Sequence, residues 1–120
     1  MSDVEKMKNK EFAFYCINKL IKASAMTDDV LRILTDSRIC RDWFSFSSGF
    51  AILNEIPRDY SEEDIQKARC VGTRYRYYKE VITVGERNFL VTNHWYGPNK
   101  SLKDNRAPFY LWVSSKTQLS

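Results

Sequence analysis

The segment 73–96 constrains the fold most strongly. It consists of two runs rich in β-branched and aromatic residues on either side of Gly85-Glu86. Two such runs separated by a Gly-X loop are typical of a β-hairpin, because glycine readily adopts the positive φ that a type II′ turn needs at its first position. The sequence therefore predicts an antiparallel hairpin in which Val84 lies opposite Arg87.

The hairpin has two faces, which follow from counting outward from the turn, since alternate residues of a strand point to opposite sides. The face with more large apolar side chains is predicted to line the core: Arg76, Tyr78, Glu80, Ile82, Val84, Arg87, Phe89, Val91, Asn93 and Trp95. The other face is predicted to be exposed, with Tyr75, Tyr77, Lys79, His94 and Tyr96. A bulge near Lys79-Glu80 is the alternative, and it would place Arg76 and Trp95 outside.

Helices are predicted before the hairpin. Apolar residues recur at helical spacing between Lys8 and Ala25, which predicts an amphipathic helix. Three further helix starts are predicted from residues that cap free backbone amides: Thr27, then Asp36 or Ser37, then Ser61 with Asp64. The helix from Asp36 or Ser37 is expected to hold Ile39, Cys40 and Trp43 inward and Arg38 and Arg41 outward, and the last helix is expected to end at Gly72.

The chain after the hairpin is predicted to form a loop and a last strand. Residues 97–108 are turn-rich and basic. The strand Phe109–Val113 is expected to add Phe109, Leu111 and Val113 to the core face and to extend the exposed face with Tyr110 and Trp112.

These elements predict an α+β fold in which N-terminal helices, about 8–71, pack on a small C-terminal antiparallel sheet, about 73–114. One domain spanning residues 1–120 is expected from the length. Two short helices followed by a hairpin also match the outline of a winged helix-turn-helix, whose second helix enters the major groove of DNA. The run 50–53 is either a buried strand or a helical turn.

Composition indicates a folded globular protein, with 43% hydrophobic and 28% charged residues. No apolar run approaches the ~20 residues of a membrane-spanning helix, and the first residues lack the apolar core of a signal peptide. We therefore expect a cytoplasmic protein without a membrane association.

The cysteines Cys16, Cys40 and Cys70 are far apart, and His94 is the one histidine. These spacings argue against a disulfide framework and against a zinc site, so we expect three buried thiols and no metal or cofactor. The sequence contains no Gly-rich phosphate loop and no Gly-x-Ser-x-Gly motif, which argues against an enzyme. A magnesium-dependent nuclease using carboxylates such as Asp59, Asp64 and Glu80 is a distant alternative.

Charge is distributed unevenly along the chain. Residues 1–60 hold nine basic and nine acidic side chains, whereas residues 73–120 hold eight basic and three acidic ones. This asymmetry indicates an anionic partner, although a basic face that only increases solubility is the alternative. Aromatic rings among basic groups are typical of surfaces that bind single-stranded nucleic acid.

The sequence therefore predicts a small nucleic-acid-binding or regulatory domain. The predicted contact residues are Arg74, Tyr75, Arg76, Tyr77, Lys79, His94, Tyr96, Lys100, Lys103, Arg106, Tyr110 and Trp112. A protein-interaction module is the alternative, such as a homodimer, or a subunit or inhibitor of a nucleic-acid-handling partner, because Tyr, Trp and Arg dominate protein interfaces. In a further alternative, the tyrosines pack under a helix and only their hydroxyls reach the rim.

Overall fold

The computed structural model describes residues 6–46, 50–96 and 104–117. The helices in these ranges are α1 (Asn9–Lys22), α2 (Asp28–Leu34), α3 (Ser37–Phe44), α4 (Glu62–Arg69) and α5 (Arg106–Thr117). The strands are β1 (Leu53–Ile56), β2 (Cys70–Val71), β3 (Arg74–Tyr75), β4 (Tyr77–Val84) and β5 (Arg87–Thr92). This arrangement confirms the predicted α+β class.

The helix starts follow the predicted capping residues. The hydroxyl of Thr27 accepts a hydrogen bond from the amide of Val30 at 3.2 Å. The carboxylate of Asp36 accepts from two amides at the start of α3. Ser61 and Asp64 form a reciprocal capping box at α4. Each cap satisfies amides that a helix leaves unpaired in its first turn, which is why these positions are readable from local sequence.

The hairpin is formed as predicted around its turn. Val84 pairs with Arg87, and Gly85 has a φ of 62°. The strand β5 also pairs with β1, in a register that sets Leu53 opposite Val91. The sheet order is therefore β1-β5-β4 with β5 in the centre, and the apolar run 50–53 leads into an edge strand.

Both faces of the central strand are covered. Phe89 and Val91 point to one side of β5, Leu90 and Thr92 to the other, and all four are fully buried. The helix α4 contacts all three strands of the sheet, and α1 contacts β5. The prediction that one face of the hairpin lies open to solvent is therefore wrong along β5.

The pairing of β4 with β5 follows the count outward from the turn as far as Val81 and is shifted between Val81 and Tyr77. Thr92 pairs with Tyr77, where uninterrupted pairing would give Lys79, so β4 contains two additional residues between Tyr77 and Val81. Lys79 is exposed as predicted. Tyr77 is only 3% exposed, and its hydroxyl donates to the backbone oxygen of Ala51 at 2.6 Å. Its prediction as a surface residue is wrong because neighbouring segments cover this side of the sheet.

The predicted last strand is a helix. Phe109 and Val113, four residues apart, are buried on α5, while Leu111 between them is 68% exposed. The backbone amides of Arg106 and Ala107 donate to the Asp104 carboxylate, and a proline at position 108 is tolerated in a first helical turn because its missing amide would be unpaired there. A run of only five aromatic and aliphatic residues fits the period of a helix as well as that of a strand. The strand prediction was wrong because the run is too short to distinguish the two.

Three further predictions need correction. The helix α4 ends at Arg69 and not at Gly72, whose positive φ of 66° serves the turn between β2 and β3. Trp43 is 52% exposed, because Cys40 and Phe44 occupy the inner side of α3. Of the predicted loop 97–108, residues 97–103 lie outside the described ranges, and α5 begins at Arg106.

Aromatic side chains join the helices to the end of the hairpin. The Phe12 ring of α1 lies 5.3 Å from the Trp95 ring, and the Phe44 ring of α3 lies 5.4 Å from the Phe109 ring of α5. Trp95 is buried as predicted. Among the described helices, none combines the length and apolar character needed to cross a membrane.

Candidate functional site

A two-stranded ribbon, residues 70–75, lies at the end of the hairpin opposite Gly85. Its strands β2 and β3 pair Cys70 with Tyr75 and Val71 with Arg74. The amide of Arg76 donates to the Arg69 carbonyl at 2.7 Å, and the carbonyl of Arg76 accepts from the Asn93 amide at 2.9 Å. The ribbon is therefore fixed both to the last turn of α4 and to the chain that follows β5.

Basic side chains concentrate in and around this ribbon. We call Lys67, Arg69, Arg74, Arg76 and Lys79 the basic cluster. The sequence contains no Asp or Glu from residue 65 to residue 79, and within the described ranges none of the five forms an ion pair. Within those ranges the positive charge of the cluster is therefore not neutralised by an ion pair, although Lys79 is followed directly by Glu80.

The turn end of the same hairpin is different. Arg58 lies 3.1 Å from the Glu86 carboxylate, and Arg87 lies 2.7 Å from that of Glu55. The hydrogen bonds from Arg87 hold the pKa of Glu55 below its ordinary value. The two ends of the hairpin therefore differ in the local balance of charge.

The side chain of Tyr75 is held beside a cation. The guanidinium carbon of Arg69 lies 4.4 Å from the centre of the Tyr75 ring, a cation–π distance. The Tyr75 hydroxyl donates to the Gln66 side-chain oxygen at 3.3 Å. Tyr75 nevertheless remains 54% exposed, so an oriented ring with an adjacent cation is accessible to a ligand.

Arg76, His94 and Tyr96 form a hydrogen-bonded chain next to the ribbon. Arg76 Nη1 lies 3.4 Å from His94 Nδ1, and because arginine only donates, Nδ1 accepts and the ring proton lies on Nε2. That Nε2 is 2.7 Å from the Tyr96 hydroxyl oxygen and donates to it. Burial, followed by the charge of Arg76, lowers the pKa of His94. The imidazole is therefore neutral near pH 7 and contributes hydrogen bonds to this surface.

The predicted contact residues do not all lie together. The structure brings Arg74, Tyr75, Arg76, His94 and Tyr96 to the ribbon end, whereas Lys100 and Lys103 lie outside the described residues.

The remaining predicted residues belong to the core or to α5. Tyr77 is a core residue. The Arg106 guanidinium lies 4.5 Å from the centre of the Phe12 ring. Tyr110 and Trp112 are half-buried on α5, where Trp112 packs against Phe44 at 5.3 Å. They therefore do not extend a sheet face, as the strand prediction required.

Two members of the basic cluster were absent from the predicted site. Lys67 and Arg69 belong to the last turns of α4, which the sequence indicated only as a packing helix. The signal that identifies them is the uninterrupted absence of acidic residues across positions 65–79. Their contribution becomes evident once α4 is followed directly by the ribbon.

The cysteines divide into two classes. Cys16 and Cys40 are buried as predicted, and burial raises the pKa of Cys16 to about 12 and that of Cys40 to about 11. Cys70 is exposed on the ribbon. The prediction of three buried thiols is wrong for Cys70, because it follows the last residue of α4 and pairs in a two-residue strand at the surface.

The carboxylates considered for a nuclease are engaged or dispersed. Asp64 accepts from the Ser61 amide at 2.9 Å in the capping box of α4. Glu80 accepts from the Lys10 ammonium at 2.7 Å. In the part of the chain that the structure describes, no three His, Cys, Asp or Glu side chains are grouped so as to hold a metal ion.

Comparison with family models, with curated proteins and with solved structures found no significant match for this chain.

Proposed function

We propose that this protein binds nucleic acid through the ribbon and the basic cluster, in a binding role without catalysis. The observation that carries the proposal is a set of five basic side chains that form no ion pair in the described ranges, one of which, Arg69, lies against the exposed ring of Tyr75. Phosphate groups would supply the missing negative charge, and an unpaired base would stack on the ring.

The number of side chains in the basic cluster predicts how steeply the affinity for nucleic acid should fall with salt concentration. Each phosphate that a protein neutralises changes the slope of log affinity against log salt by about −0.7 for single strands and −0.9 for duplex DNA. Five contacts would therefore give a slope of about −3.5 to −4.5. A much shallower slope would mean that only part of the cluster contacts the backbone.

The experiment is a titration of labelled oligonucleotides, followed by fluorescence anisotropy over a series of salt concentrations. Arg74→Ala removes an exposed cation of the ribbon and should lower affinity and reduce the slope by the contribution of about one phosphate. Arg58→Ala is the matched control, since it removes an equal charge from a side chain that is 75% exposed at the opposite end of the hairpin.

Two outcomes contradict this proposal. One is the absence of oligonucleotide binding at low salt. The other is an equal loss of affinity in Arg74→Ala and Arg58→Ala, because equal losses would show that only the net charge of the protein matters.

If the protein instead bound DNA as a winged helix, α3 and not the ribbon would be the contact surface, because α3 would enter the major groove. Arg38 and Arg41 point outward on α3 as expected, but Arg41 lies 3.3 Å from the Asp42 carboxylate. The charge balance therefore favours the ribbon over α3 as the contact surface. A larger loss of duplex affinity in Arg38→Ala than in Arg74→Ala would reverse that preference.

A protein-interaction role is the second candidate, and two exposed apolar side chains favour it. Trp43 on α3 is 52% exposed and Leu111 on α5 is 68% exposed, and these two helices pack together. Tryptophan is prominent among the residues that dominate protein interfaces. Light scattering that detects a dimer in the native chain and a monomer in Trp43→Ser would support this role, whereas a monomeric native chain would exclude homodimerisation.

A further inference from the structure

A cleft of about 230 Å³ opens between the start of α3, the strand β1 and the ribbon. Its buried floor includes Phe50, Leu53 and Tyr77, but most of the surface that the cleft exposes is polar. Its rim is half-exposed and includes Ser37, Asn54 and Val71. The volume is below the ~300–1,000 Å³ of clefts that take drug-sized ligands. It therefore suits a single planar ring system.

The rim offers hydrogen-bonding groups that the described structure leaves unused. Asn54 Nδ2 donates to the Ala68 carbonyl at 2.9 Å, and because a carbonyl only accepts, the amide orientation is fixed with Oδ1 on its other side. Neither Asn54 Oδ1 nor the Ser37 hydroxyl makes a hydrogen bond within the described ranges. The Ser37 hydroxyl is also not needed as a helix cap, since Asp36 performs that role.

The cleft is continuous with the basic cluster. Val71 lies on the rim and pairs with Arg74 in the ribbon. The Phe50 ring on the floor lies 5.6 Å from the Arg76 guanidinium and 5.1 Å from the His94 ring. A nucleotide whose phosphate contacts these arginines therefore has a ring-sized cleft within reach of its base.

We propose that this cleft binds one unpaired nucleobase that carries an exocyclic amino group, namely cytosine, adenine or guanine. The amino group donates to Asn54 Oδ1, the Ser37 hydroxyl contacts another edge atom, and the ring occupies the cleft between them. Uracil and thymine present a carbonyl oxygen where cytosine carries its amino group, so they would oppose one acceptor with another. This inference rests on the proposed nucleic-acid binding and specifies its ligand as single-stranded.

The first test uses the unmodified protein and labelled oligonucleotides of equal length composed of cytidine, adenosine or uridine. One hydrogen bond gained or lost should change affinity about fivefold, so the cytidine and adenosine strands should bind at least about fivefold more tightly than the uridine strand. A self-complementary duplex should compete poorly. Equal affinities for all three strands overturn the inference and leave the proposed function intact, whereas no binding to any strand overturns both.

The second test blocks the cleft. Val71→Phe places a bulkier, aromatic side chain at the rim. It should abolish the preference for cytidine over uridine while salt-dependent binding remains. Val84→Phe is the matched control, because Val84 is also half-buried but lies at the turn end of β4. Ser37→Ala, which removes a hydroxyl that makes no hydrogen bond within the described ranges, should reduce the same preference with the fold retained. An undiminished preference in both Val71→Phe and Ser37→Ala overturns the inference.

Discussion

The guanidinium of Arg69 lies against the ring of Tyr75, with 4.4 Å between the guanidinium carbon and the ring centre. Arg69 Nε also donates to the Tyr77 carbonyl at 3.0 Å. One side chain thereby connects the last turn of α4, the ribbon and the first residue of β4. The exposed ring and its cation are held in place before any ligand arrives, which lowers the ordering cost of binding.

Replacement of Tyr75 should separate stacking from hydrogen bonding. Tyr75→Leu removes the ring and should weaken oligonucleotide binding by about 1–3 kcal/mol, the usual contribution of one stacked base. Tyr75→Phe keeps the ring, loses only the hydrogen bond to Gln66, and should bind nearly as the unmodified protein does. Dissociation constants measured at one fixed salt concentration provide the comparison. If the leucine variant binds as well as the phenylalanine variant, Tyr75 does not stack with a base.

Removal of the hydroxyl oxygen from Tyr77 should lower the stability of the fold. The Tyr77 hydroxyl is buried and donates to the Ala51 carbonyl at 2.6 Å, and burial raises its pKa far above the ordinary value. Tyr77→Phe leaves that carbonyl without its partner and should lower the free energy of unfolding by about 1–3 kcal/mol. Tyr75→Phe, at an exposed position, should stay within about 0.5 kcal/mol. Urea denaturation measures both, and equal values would contradict the buried position of Tyr77.

The thiols should react in two classes. Cys70 is exposed, whereas burial raises the pKa of Cys16 to about 12 and that of Cys40 to about 11. Because the thiolate is the reactive form, a thiol reagent applied to the native protein at mildly alkaline pH should modify one cysteine quickly and the other two only after unfolding. The fast reaction should disappear in Cys70→Ser. Its persistence in that variant would show that a second thiol is accessible.

Stability should depend on the protonation of His94. Burial and the charge of Arg76 lower its pKa from the ordinary 6.5, so the folded state binds fewer protons than the unfolded state between the two pKa values. The free energy of unfolding should therefore decrease as the pH is lowered from about 6.5 through the folded pKa, and this contribution is present in full above 6.5. His94 is the one histidine of the chain, which makes the assignment direct.

The control for this pH dependence is His94→Gln. The substitution changes the absolute stability by removing hydrogen bonds, but it should flatten the slope of unfolding free energy against pH in that window. Denaturation curves at a series of pH values provide the slope. An unchanged slope in the variant would assign the dependence to other groups.

The features that the sequence predicted correctly have local causes. The turn at Gly85 and the pairing of Val84 with Arg87 follow from a positive φ and from counting. The helix starts at Thr27 and Ser61 follow from side chains that bond amides three residues away. Such signals need no knowledge of the rest of the fold.

The features that the sequence did not predict depend on packing between segments that lie far apart in the chain. Tyr77 is buried because α4 and the segment containing Ala51 cover its side of the sheet, which the alternation of strand residues does not reveal. The pairing of β1 with β5 joins residues more than thirty positions apart. For the ribbon surface, the aromatic and basic pattern of the hairpin strands predicted Tyr75 and Arg76, whereas the position of Arg69 beside Tyr75 depends on the contact between the end of α4 and β3.

The unequal ends of the hairpin also have a kinetic consequence. Ion pairs compensate charge near Gly85, whereas the cations around the ribbon form no ion pair within the described residues. The field of a polyanion exerts a torque on a molecule with such an asymmetric charge distribution. The ribbon end therefore turns toward the polyanion before contact. Long-range steering of this kind raises the association rate constant and is suppressed by salt. For the proposed polyanionic partner, we therefore expect the charge pattern to favour a first collision at the ribbon end.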